Sequence, residues 1–168
     1  NVKYTISPDK QTGLPREIMN KDSNGPAWFV SDILAIDSAD EALLSLSQVN
    51  TKKTAVIGRD DLEKLPLASI DRDTSATIEL LHHQPNKLIY HTTSKTEQLA
   101  VFSEMYYPKG WQITIDDVPV DMMRVNYVLR ALVVPAGQHE IVFVFDPAVV
   151  RQGGVWSLMS VAVFAILV

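Results

Sequence analysis

The chain has 168 residues, a net charge of −5 and no cysteine. A chain of this length can bury a full core, and the absence of cysteine excludes disulfides, zinc–thiolate sites and thiolate catalysis. Because it is acidic and has no basic tract, it attracts neither nucleic acid nor an anionic lipid surface, so we expect neither as a partner.

The first seventy residues mix strand, loop and helix patterns. Alternating apolar residues in "VKYTI" predict a short strand, and the Pro, Gly and Asn content of residues 8–25 predicts a long loop. "AWFVSDILAID" predicts a further strand, "TAVIG" a short one, and "RDDLEKLPLAS" a polar connection. We therefore expect a small α+β portion over residues 1–70.

One helix is predicted in this portion, over "DSADEALLSLSQ". Ser38 is placed as its N-cap, and Glu41 three residues later completes a capping box. The helix has one apolar stripe with the spacing i, i+3, i+4 and i+7, formed by Ala39, Ala42, Leu43 and Leu46.

Strand patterns follow one another from residue 71 onward. They recur about every eight to twelve residues and are separated by turns at Pro85–Asn86, Asp116–Asp117 and Pro135–Gly137. This spacing is typical of antiparallel sheets. We predict a mainly β protein, in which residues 71–152 form an antiparallel β-sandwich of jelly-roll or immunoglobulin-like type.

No pattern in the sequence indicates a catalytic or metal site. His82 and His83 are neighbours on a predicted strand and point to opposite faces, and His91 on the partner strand is placed to face one of them. Two histidines without an assured third ligand make a weak metal site. The carboxylate pairs fall in a connection, before a strand and in a turn, at Asp60–Asp61, at Asp71 and Asp73, and at Asp116–Asp117. We predict no catalytic residue, no metal and no cofactor.

Three charged residues lie within apolar strands. Glu104 has apolar neighbours on both sides, as do Arg130 and Arg124. Buried charges have to be paired, so we expect a structural ion pair between Glu104 and either Arg130 or Arg124. The alternative is that these charges form a polar floor under an aromatic ligand site.

The aromatic residues Tyr106, Tyr107 and Trp111 flank the turn "PKG". If they are exposed, their ring planes suit the C–H face of a sugar, and they form a candidate ligand-binding site. If they are packed, they close one end of the sandwich. The sequence leaves both interpretations open.

Several segments resemble a known family. The pieces "VFSEMYYPKGW", "IDDVPV", "RVNYVLRAL" and "VPAGQHEIVFVF" resemble, in this order, the C-terminal extracytoplasmic region of YfhO-like bacterial multi-pass membrane proteins. "NVKYTI" is similar to the point where that family's chain leaves its membrane helices, and "AWFV" and "ADEALLSL" are similar to the segment that follows. The family usually has Asp-Gly where this chain has Asp116–Asp117, and we expect this difference to affect only the turn.

The resemblance implies a role in the cell envelope. YfhO-like proteins resemble membrane glycosyltransferases that use polyprenyl-phosphate sugars, and their catalytic acids are expected between early membrane helices, outside this chain. We therefore expect a non-catalytic domain on the extracytoplasmic (periplasmic) side of the bacterial inner membrane. It would support the parent's membrane helices or bind a glycan, a lipid-linked sugar or a partner.

Two alternatives stay open at this point. The first is a free-standing carbohydrate-binding β-sandwich module, which requires an exposed aromatic platform. The second is a glycoside hydrolase, which requires two carboxylates that converge in a cleft. The parent protein itself is a candidate glycosyltransferase.

The chain ends in an uncharged apolar segment after Arg151. The last fifteen residues span only roughly 22 Å as a helix, short of the bilayer core of about 30 Å. Because the segment is apolar almost all round and the resemblance places a membrane segment here, we predict that residues 153–168 begin a membrane helix, with Trp156 near the interface. Away from a membrane, we expect it to pack against its own domain or another copy.

Overall fold

The computed structural model describes residues 3–65 and 70–167, and the chain is mainly β, as predicted. Val2 of the predicted first strand, residues 66–69 of the predicted polar connection and Val168 of the tail lie outside the described residues. The elements are β1 (Tyr4–Pro8), β2 (Pro15–Met19), β3 (Ala27–Val30), β4 (Asp32–Ile36), α1 (Ala39–Leu46), β5 (Thr54–Gly58), α2 (Arg59–Leu62), β6 (Thr77–Gln84), β7 (Lys87–Ser94), β8 (Gln98–Met105), β9 (Trp111–Ile115), β10 (Val118–Pro119), β11 (Met123–Val125), β12 (Leu129–Val134), β13 (Gly137–Phe145) and α3 (Ala148–Leu167).

Two large sheets pack face to face and form the predicted sandwich. One has the strand order β10-β9-β13-β7-β6, and the other has the order β3-β8-β12-β11-β5-β4. Three aromatic side chains meet edge to face between the sheets, with ring centroids 4.9–5.8 Å apart: Tyr90, Phe102 and Phe143. Residues 99–102 of strand β8 form an unbroken apolar run because both faces of the sheet are covered here.

The six-stranded sheet curls back on itself. Only Ser31 separates β3 from β4, yet these are the two edge strands of the sheet. The backbone N–H groups of Ser31 and Asp32 both donate to the carbonyl of Lys53, which holds the crossing in place. A second apolar core fills the inside of the curl and includes Trp28, Val30, Ile57, Leu99 and Val101. The α+β portion and the β portion therefore share one sheet.

The predicted helix α1 is confirmed, together with its N-cap. The Ser38 hydroxyl accepts a hydrogen bond from the Glu41 backbone at 3.2 Å, and the Glu41 carboxylate accepts one from the Asp37 backbone at 2.9 Å. The apolar stripe is narrower than predicted, because Ala42 is buried whereas Leu43 is exposed. Helix α1 connects the parallel strands β4 and β5, and the one-turn helix α2 opens the predicted polar connection.

The prediction of a long loop over residues 8–25 is partly wrong, because this segment contains strand β2. Strands β1 and β2 form an exposed antiparallel hairpin. Its turn is closed by the Asp9 carboxylate, which accepts hydrogen bonds from the backbones of Gln11 and Thr12, both at 2.9 Å. Gly13 supplies a positive φ of 70°. The Asp9 turn therefore forms a hairpin that the apolar pattern of residues 8–25 did not reveal.

The predicted apolar tail lies within helix α3, which begins earlier, at Ala148. Its large apolar side chains among the described residues are exposed, including Val149, Trp156 and Phe164. The expected packing of the tail against its own domain is thus not found among these side chains. No helix within the described residues combines the length and the apolar character that a membrane crossing requires.

Candidate functional site

The main candidate site is a groove of about 920 Å³, lined largely by β9, the edge strand β10 and the segment that follows it, which we call the aromatic groove. Tyr106 and Trp111 line it from the two sides of the "PKG" turn. Partly or fully buried apolar side chains form its inner part, and polar side chains stand at its rim. The inner part includes Ile113, Val120, Met122 and Met123, and the rim includes Asp61, Lys64, Gln112 and Asp121.

Trp111 is held in place by the strand beside it. It is the first residue of β9 and pairs with Phe145 on β13, and the two rings lie 5.2 Å apart. Gly110 precedes it at φ 125°, where a Cβ atom would lie 2.9 Å from a ring carbon of Phe145. The turn therefore requires glycine, and the indole is fixed before any ligand arrives.

A buried guanidinium lies behind the indole. The central carbon of Arg130 is 4.6 Å from the ring centroid of Trp111 and 4.4 Å from that of Phe143. The Arg130 side chain is 1% exposed, and its Nη2 lies 3.6 Å from the carboxylate of the partly exposed Glu104. Burial lowers the pKa of Arg130, and Glu104 offsets part of this effect.

The ion pair leaves part of the guanidinium without a partner. Nε and Nη1 of Arg130 are buried and form no hydrogen bond within the described residues. Burial also raises the pKa of the neighbouring Tyr90 to about 12, so its hydroxyl stays neutral. A buried positive charge therefore lies behind Trp111, between two aromatic rings and beside one carboxylate.

The structure separates the predicted site residues into two groups. Tyr106 and Trp111 share the aromatic groove, whereas Tyr107 packs outside it on Phe145, at a ring distance of 6.4 Å, and remains half exposed. Glu104 and Arg130 lie together, but Arg124 is exposed and lines a different depression. The Glu104–Arg130 pair and the aromatic groove are thus neighbours, because Arg130 packs on the Trp111 ring that lines the groove.

The most tightly bonded histidine does not form a catalytic dyad. His139 Nδ1 lies 2.5 Å from Asp116 Oδ2, and its Nε2 lies 3.2 Å from the carbonyl oxygen of Ala136. Both partners are acceptors, so in the charged ring both nitrogens donate and neither has a lone pair to take a further proton. The hydrogen bond to Asp116 raises the pKa of His139, which favours this charged form.

His91 and Asp73 are accounted for by contacts within the fold. His91 faces Glu79 across the β6–β7 pair, not His82 or His83. Asp73 accepts hydrogen bonds from the Ser75 hydroxyl and from the backbone N–H groups of Lys95 and Ser75, and these lower its pKa. Across residues 3–65 and 70–167, no three His, Asp or Glu side chains are grouped so that they could hold a metal ion.

The sequence patterns did not indicate that several residues belong to the groove. Gln112 and Met122 gave no signal, because they reach the groove through the β9–β10 hairpin and the segment after it. Asp61 and Lys64 come from the end of α2, far from Trp111 in the sequence. Only the aromatic residues beside the "PKG" turn carried a local signal.

Comparison with known proteins identifies one family. The family model described as bacterial membrane protein YfhO matches residues 42–157, which is more than half of the chain. The match begins in α1 and ends in α3, so it includes Tyr106, Trp111, Arg130 and the rest of the β9–β13 region. No curated protein and no solved structure matches the chain.

Proposed function

Because the chain belongs to the YfhO family of bacterial membrane proteins, we propose that it forms an extracytoplasmic domain of such a protein and that the aromatic groove binds a cell-envelope glycan. The observation that carries the proposal is the fixed indole of Trp111 on the wall of a groove of about 920 Å³. Pockets that bind small molecules combine apolar walls with a few placed polar groups, and this groove has both.

The chemistry of the groove suits an acetamido sugar. The Trp111 plane presents a π-face to the C–H face of a sugar ring, and the buried Arg130 stands behind it. An acetamido methyl group would cover the apolar inner part formed by Ile113, Val120 and Met122, which a plain hydroxyl cannot do. Hydroxyl and amide groups would meet Gln112 and Asp121 at the rim.

The groove favours binding over hydrolysis. Two carboxylates line it, Asp61 and Asp121, and Asp61 forms an ion pair with Lys64 at 3.3 Å. A glycoside hydrolase needs one of its two acids protonated. The Asp61–Lys64 pair instead supplies a charged rim.

Helix α3 gives the domain its connection to the membrane in this proposal. Its exposed apolar side chains, among them Trp156 and Phe164, contact lipid or the membrane-embedded part of the protein. The net charge of −5 and the lack of a basic tract fit a domain that does not rest on the anionic cytoplasmic leaflet.

Titration calorimetry with N,N′,N″-triacetylchitotriose tests glycan binding. We expect heat of binding for the wild type and about tenfold weaker binding for Trp111→Ala, because the stacking surface is lost. Tyr107→Ala is the matched control, since it removes an aromatic ring outside the groove. Maltotriose, which has no acetamido group, should bind more weakly. Absence of binding, or equal losses in both variants, would contradict the proposal.

The side of the membrane can be tested separately, because the chain has no cysteine. Thr12→Cys, in the exposed β1–β2 turn, should react with a membrane-impermeant maleimide in intact spheroplasts that produce the full-length protein with any cysteine outside this chain replaced by serine. The protein without this cysteine is the control. Labelling only after the spheroplasts are lysed would place the domain in the cytoplasm.

A further inference from the structure

A second depression, of about 340 Å³, adjoins the aromatic groove. We call it the tyrosine pocket, because Tyr127 lines it together with Arg59, Asp60 and Arg124. Asp61 and Lys64 line both depressions. Their ion pair at the end of α2 is therefore a shared border, over which one extended ligand can lie.

The backbone holds Tyr127 at this pocket. The buried Asn126 is joined twice to Val56 on β5: its side-chain oxygen accepts from the Val56 backbone N–H, and its own N–H donates to the Val56 carbonyl, both at 2.8 Å. This anchor is followed by a left-handed conformation at Tyr127, with φ 71°, which is rare for a bulky residue. Tyr127 stays 42% exposed at the pocket and does not enter the core.

Two charged side chains in the tyrosine pocket are free to meet a ligand. Arg59 is bound by Asp37, through bonds of 2.6 and 3.1 Å. The side chains of Arg124 and Asp60, in contrast, form no hydrogen bond or ion pair with the described part of the chain. The pocket therefore offers a ring plane, an open guanidinium and an open carboxylate.

This combination matches a neutral sugar better than an anion. The nearby N-terminus of α1 is already capped by Ser38 and by Glu41, so it offers no free anion site. Arg124 and Asp60 supply one positive and one negative group, which suits hydroxyl groups that both donate and accept. Tyr127 adds the apolar plane for the sugar ring.

We propose that the tyrosine pocket is a second sugar subsite, so that the ligand is an oligosaccharide with one sugar on Trp111 and a later sugar on Tyr127. This inference rests on the proposed glycan binding and adds a length requirement to it. Two linked subsites strengthen binding because the second contact forms within the same complex. A disaccharide is expected to occupy only the aromatic groove, whereas a longer chain crosses the Asp61–Lys64 border.

Chito-oligosaccharides of two and six residues test the inference by titration calorimetry. For the wild type we expect the hexamer to bind about tenfold more tightly than the dimer. Tyr127→Asn removes the ring but keeps a residue that accepts positive φ, so the variant should stay folded. It should lose the advantage of the hexamer and bind the dimer unchanged. Leu44→Ala, an exposed apolar residue on α1 outside both depressions, should change neither affinity.

The outcomes separate the two proposals. If the wild type binds dimer and hexamer equally and Trp111→Ala weakens both, the second subsite is wrong and the glycan-binding groove stands. If Tyr127→Asn melts like the wild type and still prefers the hexamer, the second subsite is also wrong. If neither oligosaccharide binds to the wild type, both proposals fail.

Discussion

Arg130 is a buried charged residue that packs against Trp111 on the wall of the aromatic groove. Its guanidinium lies against Trp111 and Phe143 and has one carboxylate, Glu104, within 4.0 Å among the described residues. Burying an incompletely paired charge costs folding free energy, and an apolar side chain of the same size does not incur this cost. We therefore infer that Arg130 supports the position of the indole more than it stabilises the fold.

Substitution of Arg130 tests this division of roles. Arg130→Met fills a similar volume without a buried charge, and we expect its free energy of unfolding to lie within roughly 1 kcal/mol of the wild type, or above it. Arg130→Ala leaves a cavity behind Trp111 and should cost about 2–4 kcal/mol. Urea denaturation measures both. A large loss for Arg130→Met would show that the charge itself stabilises the fold.

The Asp116–His139 pair predicts a defined pH dependence. The pKa of His139 is raised above its ordinary value of 6.5, so its contribution is complete below 6.5 and is lost as the pH rises through the raised value. The pKa of Asp116 is lowered below 3.8, so its contribution is complete above 3.8 and is lost as the pH falls through the lowered value. The pair therefore stabilises the fold most between about pH 4 and 6.5.

NMR titration of His139 checks this pair. In Asp116→Asn, which keeps a residue suited to the positive φ of 49°, the pKa of His139 should fall toward its ordinary value. The stability difference between wild type and variant should be largest near pH 5 and shrink above neutrality. An unchanged His139 pKa in the variant would contradict the assigned hydrogen bond.

Among the elements, the β9–β10 hairpin is the one that shapes the rim of the groove. Its turn residues, Asp116 and Asp117, have φ values of 49° and 66°, the pair of positive angles of a type I′ turn. A turn of this type favours glycine at its second central position, where this chain has Asp117. The predicted effect of Asp117 on turn geometry alone is consistent with its exposed position.

Asp117→Gly should stabilise the hairpin. Glycine adopts positive φ without the steric cost that Asp117 incurs, and we expect a gain of up to about 1 kcal/mol in the free energy of unfolding. Asp117→Val should be destabilising by a similar or larger amount, since a β-branched residue fits this conformation poorly. Thermal denaturation compares the two variants. A loss for glycine would mean that the Asp117 side chain has a role of its own.

At the scale of the whole molecule, features that depend on neighbouring residues could be predicted from the sequence, whereas features that depend on distant residues could not. The cap of α1 at Ser38 and the turn at Asp116–Asp117 depend on neighbouring residues, so both were predicted. The break between β3 and β4 at Ser31 was not predicted, because it exists only where the curled sheet brings its two edge strands together. Tyr127 was missed for the same reason, since its exposure follows from the bonds of Asn126 to a distant strand.

The family assignment and the groove together give the chain its proposed place in the cell envelope. The matched region contains the whole β9–β13 unit that holds Trp111 and Arg130. The tail is the part in which pattern and structure differ most, because α3 is longer than predicted and its described apolar side chains remain exposed. The exposed apolar side chains of α3 are consistent with a domain held at a membrane.

The indole N–H signals of the three tryptophans in a ¹H–¹⁵N NMR spectrum test the central claim most directly. Trp28 is buried and donates to the Thr51 carbonyl, and Trp156 lies on α3, so only Trp111 lines the groove. On addition of N,N′,N″-triacetylchitotriose, we predict that the Trp111 signal moves and saturates while the signals of Trp28 and Trp156 stay in place. A Trp111 signal that does not move would contradict glycan binding in the aromatic groove.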